Sequence, residues 1–160
     1  MTRCARNRGV ALPIVLLLAA MMLVTTTAWL QTSLASARAT VASRKRVQAF
    51  HAADSALIRC SRLLDAALPA ASSSREPVQW RRKASFEGAS ALAIQPFAEW
   101  PYARRAPQCL IETWPRSDAG ASYLITARGF GVTADSEAWL QLRIDETGAR
   151  HWRRVVAKPF

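Results

Sequence analysis

The sequence predicts an α+β chain: a long N-terminal helical spine, transmembrane in its first half, packed on a small antiparallel β-sheet. Three observations carry this. No Gly occurs between Gly9 and Gly88, and no Pro between Pro13 and Pro69. After Arg8 the next charge is Arg38, and residues 10–24 are almost wholly aliphatic. Beyond residue 105 the apolar residues alternate with polar ones in short runs separated by turn-forming residues, which is the period of half-buried strands.

The helix is the clearest element. Leu30, Leu34, Ala37 and Val41 recur at threes and fours. Val47, Phe50, Ala53, Leu57, Cys60, Leu64 and Leu68 continue the pattern. Such a run gives one helix of about 55–60 residues, roughly 85 Å long. A helix of that length without internal caps is unusual in a globular domain and reads as a spine. Pro13 sits in the first turn, where its missing N–H costs little. From residue 10 to residue 30 the rise is about 31 Å, matching a bilayer core. Trp29 falls where an interfacial aromatic belongs. Arg3, Arg6 and Arg8 precede the span, so the N-terminus is expected in the cytoplasm and the rest outside. A cleaved secretory signal, cut near Ser33-Leu34-Ala35-Ser36-Ala37, competes with a retained anchor. The helical pattern running straight through that stretch favours retention.

Pro69 ends the spine, and residues 70–77 form a Ser-rich linker. Residues 78–83 are expected as a short strand, with Trp80 inward and Arg81, Arg82 and Lys83 exposed. A loop follows over 99–107, with Pro101 and Pro107. Four strands come next, over 109–114, 122–128, 138–144 and 152–157. Tyr123, Ile125 and Ala127 share one face; so do Ala138, Leu140, Leu142 and Ile144. Glu146-Thr147-Gly148 makes the last turn. Short connections predict an antiparallel meander with one face against the C-terminal half of the helix.

The 160 residues carry 22 Lys and Arg against 11 Asp and Glu, a net charge of +11. Three of the positive charges are Arg3, Arg6 and Arg8; without them the balance is 19 against 11, or +8. Such a balance permits attraction to nucleic acid or anionic lipid, and an Arg-rich surface with positive-inside flanks explains it without a dedicated anion site. The cysteines are Cys4, Cys60 and Cys109. None has CxxC spacing, and only His51 and His151 could join them, which is too sparse for zinc. If Cys4 leaves with a leader, Cys60 and Cys109 remain as one disulfide of an exported domain.

No pattern calls for an enzyme, a cofactor or a metal. His51 and His151 belong to no recognisable triad. Gly129 and Gly131 flank Phe130 without the helix and Lys that a phosphate loop needs, and a strand bulge is expected there. Arg44-Lys45-Arg46 reads as a solvated face just outside the membrane, within reach of lipid headgroups. Trp80 with Arg81-Arg82-Lys83, and Tyr102 with Arg104-Arg105, have the basic-plus-aromatic look of single-stranded nucleic acid binding. An ordinary basic surface fits each as well. The six tryptophans are expected mainly in packing.

Two motifs resemble a known family. Arg8-Gly9 before an apolar helix resembles the class III leader of type IV prepilins. The run Arg8-Gly9-Val10-Ala11-Leu12, followed by Phe50-His51-Ala52-Ala53-Asp54-Ser55-Ala56-Leu57, is similar to PilX-type minor pilins. Tyr123-Leu124-Ile125-Thr126-Ala127-Arg128-Gly129 looks like that family's Tyr-x-Ile-Thr-x-Arg-Gly strand. The resemblance covers residues 8–65 well and 109–145 loosely; the middle of the chain is not matched.

The resemblance implies cleavage after Gly9 by a prepilin peptidase and methylation of the new N-terminus at Val10. It implies a leader over 1–9, a membrane helix over 10–30, an extramembrane spine over 31–68 and a β-rich domain over 69–160. The expected role is non-enzymatic: pilus assembly or initiation at the bacterial inner membrane, with other minor pilins as partners and the C-terminal domain in the periplasm. Phe50, Asp54 and Leu57 are then expected at assembly contacts, though Asp54 reads equally as a solvated charge. Ile14 stands where major pilins carry a Glu, which favours a minor or tip subunit. A minor pseudopilin of a type II secretion system shares the leader and spine and is the alternative. A signal-anchored periplasmic DNA-binding module is a more distant one.

Overall fold

The computed structural model describes residues 11–66, 76–115, 121–133, 135–145 and 147–160. Arg8, Gly9 and Val10 of the expected processing site, Leu68 and Pro69 lie outside them, as does most of the linker. The chain divides into two compact units, Met1–Ala42 and Ser43–Phe160.

One helix, α1, runs over Ala11–Ala66. Its 56 residues agree with the length expected from the missing Gly and Pro. In the first unit every side chain from Ala11 to Ala42 is exposed. Among the described residues the aliphatic run therefore has no packing partner there, and α1 is long and apolar enough to cross a membrane. The threonines in this stretch are satisfied locally. Thr25 Oγ1 donates to the Met22 carbonyl at 2.9 Å, Thr26 Oγ1 to the Met22 carbonyl at 2.8 Å, and Thr27 Oγ1 to the Val24 carbonyl at 2.9 Å. A hydroxyl bonded back to its own helix leaves no unmet donor, which is what an apolar surrounding requires.

The second unit is a four-stranded antiparallel sheet backed by the end of α1. The strands are β1 (Gln108–Pro115), β2 (Ala121–Phe130), β3 (Glu137–Ile144) and β4 (Arg150–Val155), in spatial order β1-β2-β3-β4. This is the expected meander. Ile125 pairs with Ile111 on one side and Leu142 on the other, which fixes the register of the central strand. The β3–β4 turn is held by Asp145, whose Oδ1 accepts the amides of Thr147 and Ala149 at 3.1 and 2.8 Å. Gly148 takes the left-handed conformation, with φ of 81°.

Alternation sorts the strands into two faces. One face, with Ile111, Ile125, Ala127, Ala138, Leu140, Leu142 and Ile144, packs on α1. From α1 it meets Ala49, Ala53, Ala56, Leu57, Cys60 and Leu64. Each buried Leu or Ile contributes about 1.5–3 kcal/mol. Cys60 and Cys109 join across this core as the expected disulfide, with Cα atoms 6.7 Å apart. Val47, expected on the packed stripe, is half exposed at 51%. The alanines carry the contact instead, because their short side chains let helix and sheet approach.

Gly129 marks that approach. Its neighbours pair without interruption, Gly129 opposite Ala138 and Phe130 opposite Glu137, so no bulge exists there. A Cβ at Gly129 would run into the α1 backbone at the Ala49 carbonyl and the Ala53 amide, and would lie 2.8 Å from the Ala53 Cα. The glycine is there for helix contact and not for strand geometry.

The opposite face carries a smaller core of Phe86, Leu110 and Trp139, joined by Trp80, Ala93, Val155 and Phe160. The expected strand over 78–83 is absent: Gln79–Arg81 and Lys83–Ser85 are short 3-10 turns. The buried Glu112 carboxylate accepts the amides of Gln79 and Trp80 at 2.8 and 3.2 Å. Those amides are thereby taken from any strand partner. The outer edge of β1 is capped by Ile94, which exchanges two backbone hydrogen bonds with Cys109. Among the described tryptophan side chains only Trp139 is buried, fewer than expected; Trp29 is 82% exposed.

Candidate functional site

The Phe50–Leu57 motif splits between two environments. Ala52, Ala53, Ala56 and Leu57 are buried, and Leu57 is taken up by the sheet of its own chain. Phe50 and Asp54 are half-buried. Phe50 meets Trp152 edge to face, with ring centroids 6.1 Å apart. His51 is exposed beside it, its ring 6.0 Å from Phe50. Phe50, Asp54 and the exposed Ile58 are among the side chains that α1 keeps at or near the surface of this unit, as are His51, Ser55 and Arg59. Ile14 is exposed in the first unit.

The Tyr123–Gly129 motif is a set of packing devices. Ile125 lies in the helix-facing core. Thr126 and Gln141 are fully buried on the other face, where the Gln141 amide donates to Thr126 Oγ1 at 3.0 Å. Arg128, 3% exposed, points away from α1 while the next residue, Gly129, meets it. The Arg128 guanidinium donates to Glu87 and to Glu137, each at 2.9 Å. It also lies against the rings of Phe130, Trp139 and Phe160 at 4.7, 5.1 and 5.2 Å. A buried charge needs this density of partners to offset its desolvation. Nothing in the sequence pairs Arg128 with Glu87, 41 residues away. Arg128 lies on the strand face opposite Tyr123, Ile125 and Ala127, where a charge reads as solvated, so no local signal marks it as buried.

The electrostatics follow from these contacts. The Arg128 hydrogen bond holds the Glu87 carboxyl below its ordinary value of 4.5, against an opposing burial effect. Burial pushes Glu112 upward, and the two backbone amides it accepts only partly offset that. The Thr147 hydroxyl is the main cause of the lowered Asp145 value. A carboxyl whose folded pKa is depressed stabilises the fold above its ordinary pKa, and that contribution is lost as pH falls through the depressed value. Glu112 has the opposite sign, because acid relieves its burial cost. The unfolding midpoint is therefore expected to drop below about pH 4.5 through Glu87. In Glu87→Gln that part of the pH–stability curve should flatten, measured by thermal unfolding across pH 3–6; an unchanged slope contradicts the assignment.

Among the described residues no three His, Cys, Asp or Glu side chains gather as a metal site. The geometry defines a class: a chain with one helix long and apolar enough to span a membrane, and a disulfide-linked helix-on-meander domain. Compared with family models, curated proteins and solved structures, the chain matches none.

Proposed function

We propose that the protein is a PilX-like minor pilin that serves in type IV pilus assembly or initiation at the bacterial inner membrane. The observation that carries the reading is α1, a single helix over Ala11–Ala66. From Ala11 the helix is exposed and uncharged as far as Arg38, and its end is the packing partner of an antiparallel meander. Over residues 11–30 it rises about 30 Å, the thickness of a bilayer core. The Arg8-Gly9 leader and the Phe50–Leu57 and Tyr123–Gly129 motifs support the same reading.

In this role the prepilin peptidase cuts after Gly9 and leaves Val10 as the N-terminus. Inner-membrane lipid holds the apolar helix until neighbouring helices replace it. Ile14 removes the buried carboxylate of major pilins, which lipid would penalise. Phe50 and Asp54, together with the exposed His51, are then motif side chains available to neighbouring minor pilins. The work is assembly and not chemistry. Deleting the gene is expected to reduce surface pili and the motility they drive. Normal piliation overturns the proposal; lost protein secretion with normal pili assigns the chain to a type II pseudopilus instead.

A further inference from the structure

The Trp80–Arg81 pair has a setting that the assembly role leaves unused. A groove of about 480 Å³ opens on the sheet face remote from α1, beside β4. Trp80 and Arg81 line it on one side, and Arg143, His151 and Arg153 on another. Glu76 is the acidic side chain among its described lining residues.

Two features distinguish this groove from an ordinary basic surface. The first is an ordered cation. Thr126 and Gln141, both fully buried, form a relay: Gln141 donates to Thr126, and the Gln141 Oε1 accepts from Arg153 Nε at 2.8 Å. Arg153 is thus anchored through Nε, with its two terminal nitrogens unpartnered among the described residues. A surface arginine ordinarily keeps its rotamer freedom, so a buried relay that ends on one orients a fork of donors toward an anion. The second is a flat platform. Trp80 is fixed by its ring N–H donating to the Pro77 carbonyl at 3.1 Å. The exposed Arg81 guanidinium lies over that ring, 4.9 Å from its centroid. Bases stack on aromatic rings and on guanidinium planes alike.

We infer that this groove binds single-stranded nucleic acid, with phosphate on Arg153 and a base stacked on the Trp80–Arg81 platform. An acidic peptide or a phospholipid headgroup would engage the cation and leave the platform idle. The inference does not rest on the assembly role, and either can fail alone.

The test is fluorescence anisotropy of a labelled oligothymidylate with the full chain in neutral detergent. Binding is expected at or below about 100 μM, with a log K against log salt slope of about −0.7 for each phosphate contacted. Arg153→Gln should weaken binding about fivefold and make the slope shallower by about 0.7. Arg81→Ala should weaken binding about tenfold through lost stacking. Arg154→Gln is the control, because Arg154 pairs with Leu140 on the opposite sheet face. It should change affinity less than twofold. No binding by about 100 μM overturns the inference. So does equal weakening by Arg153→Gln and Arg154→Gln, or competition by polyglutamate or phosphatidylglycerol as effective as that by unlabelled oligonucleotide.

Discussion

Replacing Cys60 and Cys109 together by Ala is expected to lower the unfolding free energy by about 4 kcal/mol. The bond links α1 to β1 across 49 residues. The unfolded chain without it regains the freedom of a loop of that length, and the loop-closure relation gives that magnitude. Both residues are fully buried, so the paired alanines also lose sulfur volume from the core that holds helix to sheet. Urea unfolding of the full chain in detergent, with and without reductant, measures the effect. Reduction of the parent chain should approach the double variant once the bond opens. A difference below about 1 kcal/mol between parent and variant would mean that the helix and β1 are already held together in the unfolded ensemble.

Gly129→Ala is the second large effect, with an expected loss of about 3 kcal/mol or more. Most strand glycines gain from Ala, because the unfolded chain loses freedom. Here the added carbon meets α1 backbone at Ala49 and Ala53, and backbone cannot rotate away. Helix and sheet must separate along Ala49, Ala53 and Ala56, opening the core that includes Ile125 and Leu140. Gly88→Ala serves for comparison. No atom lies within 4 Å of a Cβ there, so its cost is confined to its φ of 102°. A shift for Gly129→Ala no larger than that for Gly88→Ala, read as thermal midpoints, contradicts the close-approach account.

The same contact shows why parts of the fold were legible in the sequence and parts were not. The helix announced itself through the long run without Gly or Pro. The strand faces announced themselves through Tyr123, Ile125 and Ala127 and through Ala138, Leu140, Leu142 and Ile144. Each is a local signal. Val47 fits the helical period yet stays exposed, because alanines, which carry little hydrophobic weight, form the true contact stripe. Gly129 has the sequence look of a bulge because its partner, the Ala49–Ala53 turn of α1, is remote in sequence. Residues 78–83 have strand composition, yet the Glu112 carboxylate captures their amides from 33 residues away. Arg128 depends on Glu87 in the same non-local way. The Cys60–Cys109 pairing was legible because it follows from cysteine arithmetic once Cys4 is set aside. Phe50 and Asp54 could be placed on one helix, but their half-buried state depends on where the sheet ends, which spacing alone does not give.

The mature N-terminus is the most direct measure of whether the chain is processed as a pilin-class subunit. Intact-mass analysis of the protein purified from its host membrane is expected to give a chain beginning at Val10 and carrying one added methyl group. A chain that still begins at Met1, or one that begins near Ala37 after signal-peptide cleavage, contradicts it.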